Sequence, residues 1–114
     1  MTKIYHNPRC GTSRTVLQIL QDRGEQPEVI EYLKTPPSRE QIASLIRDAG
    51  LSVREAIRGK ESIYQDLKLD DAALSDDQLL DAVVAHPILL NRPFVVTSKG
   101  TRLCRPADLV EEIL

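Results

Sequence analysis

One of the two cysteines in this 114-residue chain stands where a thiol could react. Cys10 lies in the stretch HNPRCGTSR, between a predicted strand and the first turn of a predicted helix, and Asn7-Pro8 in this stretch predicts a turn. The N-terminus of a helix carries about half a positive charge and several unpaired N–H groups, which favour a thiolate over a thiol. The sequence therefore predicts a nucleophile at Cys10, although a free cysteine is more often a small buried hydrophobic residue.

The residues around Cys10 favour binding of an oxyanion. Gly11 lets a ligand approach the backbone closely, and Thr12 and Ser13 add hydroxyl donors. The N–H groups of a helix N-terminus also bind anions, and nearby arginines add positive charge. We therefore expect the nucleophile to attack an anion that is held at the tip of the helix.

Three arginines, which we call the junction arginines, lie where predicted elements meet: Arg58, Arg92 and Arg105. Guanidinium forks suit tetrahedral oxyanions, so arginines from separate junctions can converge on one anion. Spacing alone leaves this convergence open. Four other arginines are expected to be solvated surface charges: Arg23, Arg39, Arg47 and Arg54.

The two histidines and the second cysteine are expected to have different roles. His6 would stabilise the Cys10 thiolate as a cation, or it would be a histidine of a surface loop. His86 is expected to cap the end of a helix with its side chain. Cys104 ends the predicted strand TRLC, where we expect a structural role.

The elements that position these residues belong to one α/β domain. Periodicity predicts the order β-α-β, a helical block, then β-β-α, with strands at 2–5 and 27–33 and a helix from Thr12 to Gly24. FVVT and TRLC flank SKG as a hairpin, and Pro106 is expected at the first position of the last helix. Helix starts with the S-x-x-E/Q capping pattern recur at four serines: Ser38, Ser52, Ser62 and Ser75.

Composition narrows the class of protein. Hydrophobic residues make up 41% and charged residues 28%, with a net charge of −2, which is typical of a soluble globular protein. No basic block indicates nucleic acid, no apolar run could span a membrane, and no signal peptide is visible. We therefore expect a cytoplasmic protein. The histidines and cysteines have no metal-site spacing, and no flavin or nucleotide motif indicates a bound cofactor.

Several motifs together resemble one family over residues 4 to about 113: HNPRCGTSR, YLKTPPSREQI, LIRDAGLSVREAIR, HPILLNRPFVVT and GTRLCRP. They resemble the bacterial arsenate reductases that depend on glutathione and glutaredoxin. The resemblance implies a thioredoxin-like fold, with a mixed four-stranded sheet and a helical insertion between strands 2 and 3. The chain would be a single domain over 1–114, with the insertion at about 36–87.

The resemblance also implies roles for individual residues. Cys10 would be the nucleophile, and His6 would help to keep it ionised. The junction arginines would bind the oxyanion and the arsenic adduct. Pro93 matches the proline before the third strand, which is usually cis and faces the active cysteine in such folds.

The implied reaction is the reduction of arsenate to arsenite. Glutathione would be the co-substrate, glutaredoxin would regenerate Cys10, and no metal or other cofactor would be bound. One alternative is an Spx-like regulator, although Ser13 stands where that branch has the second cysteine of C-x-x-C. Another is a glutaredoxin-like thiol transferase, which would need Cys10 but not all three junction arginines.

Overall fold

The computed structural model describes residues 2–114, so the Met1 end of the predicted domain lies outside the described residues. It contains two units of structure. The first joins the N-terminal segment through Thr35 to Arg92–Leu114, and the second is Pro36–Asn91. The single domain with an insertion at about 36–87 stays a prediction.

A four-stranded mixed sheet with the order β2-β1-β3-β4 forms the first unit. Its strands are β1 (Lys3–Tyr5), β2 (Glu28–Ile30), β3 (Phe94–Thr97) and β4 (Gly100–Leu103). β1 pairs in parallel with β2 and antiparallel with β3. A parallel pair needs a crossover connection, which helix α1 (Gly11–Asp22) provides. The predicted mixed four-stranded sheet is confirmed.

The core of the first unit lies between the sheet, α1 and a 3₁₀ helix at Ala107–Ile113. Val16 and Leu20 are four positions apart in α1, so they share one face, and both are fully buried. The buried members of this core come from every layer: Ile4, Val16, Leu20, Val95, Cys104, Val110 and Ile113.

The predicted hairpin is present with small changes. β3 and β4 pair antiparallel, and Thr97 lies opposite Gly100, so the loop is Ser98 and Lys99. Gly100 has a φ of +149°, which favours glycine. β4 ends at Leu103, so the expected place of Cys104 inside the strand was wrong by one residue.

The last helix also differs from its prediction. Pro106 is the N-cap residue, not the first helical residue, and the helix that follows is 3₁₀. Proline fits this position because a cap needs no N–H donor of its own, and because its fixed φ of −67° suits the extended backbone before the helix.

The second unit consists of helices. Its α-helices are α2 (Arg39–Asp48), α3 (Ser62–Asp66) and α4 (Asp76–Ala85), with 3₁₀ helices at Arg54–Ala56 and Pro87–Leu89. All of them lie between β2 and β3 in the chain, as predicted. Ser38 and Ser75 form complete capping boxes with the glutamines three residues later, which explains why α2 and α4 start where they do.

The other two capping predictions are corrected by the structure. Ser52 exchanges hydrogen bonds with Glu55, at 2.8 and 3.1 Å, but only a single 3₁₀ turn follows. Ser62 is the first residue of α3 and not its cap; Glu61 holds that position, and its side chain makes no capping hydrogen bond to the helix. A capping pattern therefore extends into a long helix only where an apolar face follows it, as in α2 and α4.

Three further predictions are refined. β2 covers only part of the predicted strand at 27–33, because Tyr32 is buried within a turn. His86 occupies the C-cap of α4, but its backbone N–H, and not its ring, bonds to Ala82. Arg54 is not simply solvated, since it donates to the carbonyls of Leu69 and Asp71.

Membrane crossing by a helix is not supported in the described chain. None of the helices between residues 2 and 114 is both long enough and apolar enough to span a bilayer.

Ser75 caps a helix of the second unit and Ser62 does not, so substitution of each serine tests the assignment of the helix caps. Ser75→Ala removes the hydrogen bond from the Gln78 N–H to the serine hydroxyl, so we expect the free energy of unfolding to fall by about 1 kcal/mol. Ser62→Ala is the matched control, because that hydroxyl caps nothing, and its effect should stay within about 0.5 kcal/mol. Urea unfolding monitored by circular dichroism measures both, and equal losses would contradict the assignment of the caps.

Candidate active site

Cys10 is placed by a tight turn that follows β1. The Cys10 N–H donates to the Asn7 carbonyl at 3.0 Å, and the Arg9 N–H donates to the Asn7 side chain at 3.0 Å. Asparagine before proline favours such a turn, because its side chain bonds to the backbone two residues later. Cys10 thereby becomes the N-cap residue of α1, with extended backbone angles. Asn7 was not predicted as a site residue, although the Asn7-Pro8 pair marked the turn.

The first turn of α1 leaves three N–H groups available beside Cys10. Within residues 2–114, the N–H groups of Gly11, Thr12 and Ser13 donate to no backbone carbonyl. Such groups carry the positive end of the helix dipole. The Ser13 N–H acts on the Cys10 sulfur, and the N–H groups of Gly11 and Thr12 remain as donors at the predicted anion-binding tip.

Two junction arginines lie beside the thiol. Arg105 Nη1 donates to Cys10 Sγ at 3.5 Å and to the Arg92 carbonyl at 3.0 Å. The guanidinium of Arg92, which is buried, also interacts with the sulfur. The peptide bonds Arg92–Pro93 and Arg105–Pro106 are both cis, and Pro93 is buried.

The hairpin register explains why these two arginines meet. Phe94 lies opposite Leu103, so the same antiparallel register continued by two residues places Arg92 opposite Arg105. Tyr5, the last residue of β1, lies opposite Phe94. The loop that carries Cys10 therefore leaves β1 at the same end of the sheet as both arginines.

The pKa of the Cys10 thiol is lowered by its surroundings. Burial by itself raises this pKa, but the Ser13 N–H, the Arg105 guanidinium and the Arg92 guanidinium together outweigh it. The thiolate is therefore favoured more than in an ordinary cysteine.

Cys104 has the opposite environment. It is fully buried in the core of the first unit, and burial raises the pKa of its thiol to about 12. Its N–H donates to the Pro93 carbonyl at 2.9 Å. The environment fits the structural role that was predicted.

His6 and Ser13 differ from their predicted environments. His6 is buried, so the alternative of a surface-loop histidine was wrong. Its Nδ1 lies 2.6 Å from Ser13 Oγ, and that oxygen also accepts the Asn7 N–H at 3.1 Å. Burial lowers the pKa of His6, and Arg14 adds to this effect, while Glu31 opposes it. The net lowering of the pKa favours the neutral ring at pH 7. The fully buried Ser13 hydroxyl is engaged internally, so only its N–H faces the sulfur.

Comparison with known proteins identifies the family. The model of the ArsC family matches residues 5–113 of the chain. This chain belongs to the ArsC family.

Relatives of this chain in several species are named arsenate reductases. The chain is 55% identical to an arsenate reductase of Rhizobium meliloti and 50% identical to one of Escherichia coli K12, in each case over 97% of this chain and 79% of the relative. The structure of an arsenate reductase from Vibrio cholerae superposes with a TM-score of 0.95 at 46% identity, covering 99% of this chain and 97% of that one. The similarity supports the predicted thioredoxin-like ArsC fold.

The third junction arginine belongs to the second unit. Arg58 Nε donates to a Glu61 carboxylate oxygen at 2.9 Å, and the Arg58 N–H bonds to the Leu89 carbonyl at 2.8 Å. Its predicted binding of the oxyanion stays a prediction. No cluster of three or more His, Cys, Asp or Glu side chains that could hold a metal occurs among the residues described, 2–114.

The contrast between the two cysteines can be measured by alkylation. In a Cys104→Ser variant, iodoacetamide should label Cys10 with a midpoint below the ordinary thiol value of about 8.5. In a Cys10→Ser variant, Cys104 should stay unlabelled up to the highest pH at which the fold persists and react only after unfolding. Equal midpoints for the two thiols would contradict this picture.

Proposed function

We propose that this ArsC family chain is an arsenate reductase that reduces arsenate to arsenite. Cys10 is the nucleophile, glutathione is the co-substrate and glutaredoxin regenerates the enzyme in the cytoplasm. The observation that carries the proposal is the Arg105 guanidinium at 3.5 Å from Cys10 Sγ, at a helix tip where the N–H groups of Gly11 and Thr12 donate to no backbone carbonyl of the described residues. The nucleophile and the donors for an oxyanion occupy one place, and curated relatives about half identical to this chain have this name.

The first step joins sulfur to arsenic. Arsenate and a thiolate are both anions, so their approach requires positive charge that is already in position. Arg92, Arg105 and the first-turn N–H groups supply it, and Arg58 is proposed as a third cation. The Cys10 thiolate forms a bond to arsenic(V), and one arsenate oxygen takes up a proton and leaves as water or hydroxide.

The second step moves the two electrons. The glutathione thiol displaces a further oxygen as water, so that arsenic carries both sulfurs. The two sulfurs then join as a mixed disulfide between Cys10 and glutathione, arsenic keeps an electron pair, and arsenite leaves. A glutaredoxin thiol finally attacks the disulfide, takes the glutathione and releases Cys10 as a thiolate.

The resolving thiol has to come from outside the chain. Ser13 cannot take part in thiol–disulfide exchange, because it has a hydroxyl and no sulfur. Cys104 is fully buried, and its thiol has a pKa of about 12. Neither residue can attack a mixed disulfide at Cys10, which favours glutathione and glutaredoxin as donors.

The arginines separate a reductase from a general thiol transferase. Arg92→Ala and Arg105→Ala should each lower kcat/KM for arsenate by roughly 100-fold, since each removes a donor aimed at the developing charge. Arg105→Lys should lose much of the activity as well, because a single ammonium cannot replace the planar fork. Arg47→Ala is the control, since its side chain is exposed on α2. Steady-state assays with glutathione and glutaredoxin measure kcat/KM for all four variants. Equal activity of the four variants would contradict the proposal.

Trapping the oxidised enzyme tests the source of the second thiol. With arsenate and glutathione present but glutaredoxin withheld, intact-mass spectrometry should show one glutathione attached, and peptide mapping should place it at Cys10. Cys104→Ser should give the same adduct and retain most of the activity. An internal disulfide between Cys10 and Cys104 would show that the donor scheme is wrong.

A further inference from the structure

A closed set of hydrogen bonds lies behind the nucleophile and has its centre at the Ser13 hydroxyl. Ser13 Oγ accepts the Asn7 N–H at 3.1 Å and lies 2.6 Å from His6 Nδ1. Asn7 in turn accepts the Cys10 N–H at 3.0 Å through its carbonyl. His6, Asn7 and Ser13 are all buried, with 6%, 3% and 0% of their surface exposed, so water does not replace these bonds.

We propose that Ser13 is a positioning residue for the nucleophile, and that His6 acts on Cys10 through the Ser13 hydroxyl and not through a charge of its own. The proposal rests on Cys10 as the nucleophile, but it does not depend on arsenate as the substrate. It replaces the expectation that the Ser13 hydroxyl binds the oxyanion.

The bonding capacity of a hydroxyl supports this role. A serine hydroxyl has one proton to donate and two lone pairs to accept with. The Asn7 N–H occupies one lone pair, and His6 Nδ1 either donates to the other or accepts the hydroxyl proton, according to its tautomer. In both cases the hydroxyl is held on two sides, so the Ser13 side chain has one fixed position.

Fixing the side chain also fixes the donor that acts on the sulfur. The Ser13 N–H belongs to the same residue and is the largest of the influences that favour the Cys10 thiolate. The bond from the Asn7 N–H to the Ser13 hydroxyl ties the turn that carries Cys10 to the first turn of α1. Loss of either end of this link should let the N–H and the sulfur move apart.

A charged His6 does not fit its surroundings. Burial disfavours the cation most, and the nearby Arg14 adds to this, while Glu31 alone acts in the opposite direction. Cys10 itself faces Arg92 and Arg105, so positive charge is already present beside the sulfur. A neutral ring that holds Ser13 satisfies all of these contacts.

One pair of substitutions at His6 separates the two mechanisms. Asparagine carries a polar atom at about the position of imidazole Nδ1 and never titrates, whereas alanine carries none. In a Cys104→Ser background, the Cys10 alkylation midpoint should rise by about one pH unit in His6→Ala and stay near its original value in His6→Asn. If charge acts directly, both variants should show the same rise, which would overturn the proposal.

Ser13 is tested by a double-mutant cycle. Ser13→Ala should raise the midpoint about as much as His6→Ala, and the double variant should add nothing further, because both break one link. His86→Asn, in the second unit, is the control and should leave the midpoint unchanged. Additive effects of His6→Ala and Ser13→Ala would show that they act separately and would overturn the link.

A measurement on the unsubstituted protein avoids any effect of the variants on folding. The ¹⁵N chemical shifts of the His6 ring should report a neutral imidazole at pH 7. A protonated ring at pH 7 would overturn the proposal. Neither shifts nor labelling involve arsenate, so failure here is distinct from failure of the proposed reductase activity, which turnover measures.

Discussion

A thiolate in a partly buried place must be balanced by fixed positive charge, or it takes up a proton. Cys10 is only 8% exposed, so burial works against its charged form. Each main feature of the first unit supplies part of the balance: the helix tip gives N–H groups, and the two ends of the hairpin give Arg92 and Arg105. An incoming oxyanion needs the same donors, so in the proposed reaction one arrangement serves both the Cys10 thiolate and its substrate.

The sheet brings these donors together through its register. β1 and β4 both end opposite Phe94, the first residue of β3. The turn with Cys10 and both arginines therefore lie at the same end of the sheet. The core packs Val16 and Leu20 of α1 against Ile4 and Val95 of the sheet, which holds the helix tip at that end. Cys104 is part of this core and has no chemical role in the scheme. The precision of the site thus depends on ordinary apolar packing.

Short sequence motifs predicted those turns, helix starts and hairpins that depend mainly on neighbouring residues. The Asn7-Pro8 turn and the start of α1 follow from backbone preferences, and the hairpin register would have placed Arg92 opposite Arg105 had it been extended by two residues. The capping pattern at Ser62 matches that at Ser75, yet only the second caps a helix, because packing decides which start is used. The neutral state of His6 and the burial of the Ser13 hydroxyl depend on surrounding residues, which the sequence alone does not place.

Protection of Cys10 from alkylation by arsenate tests the central claim most directly, that the oxyanion is held against the thiolate by Arg92 and Arg105. In the absence of glutathione, arsenate should slow iodoacetamide labelling of Cys10 in a saturable way, and Arg105→Ala should lose this protection at the same arsenate concentrations. A labelling rate that arsenate leaves unchanged, at concentrations that support turnover with glutathione and glutaredoxin, would contradict the account.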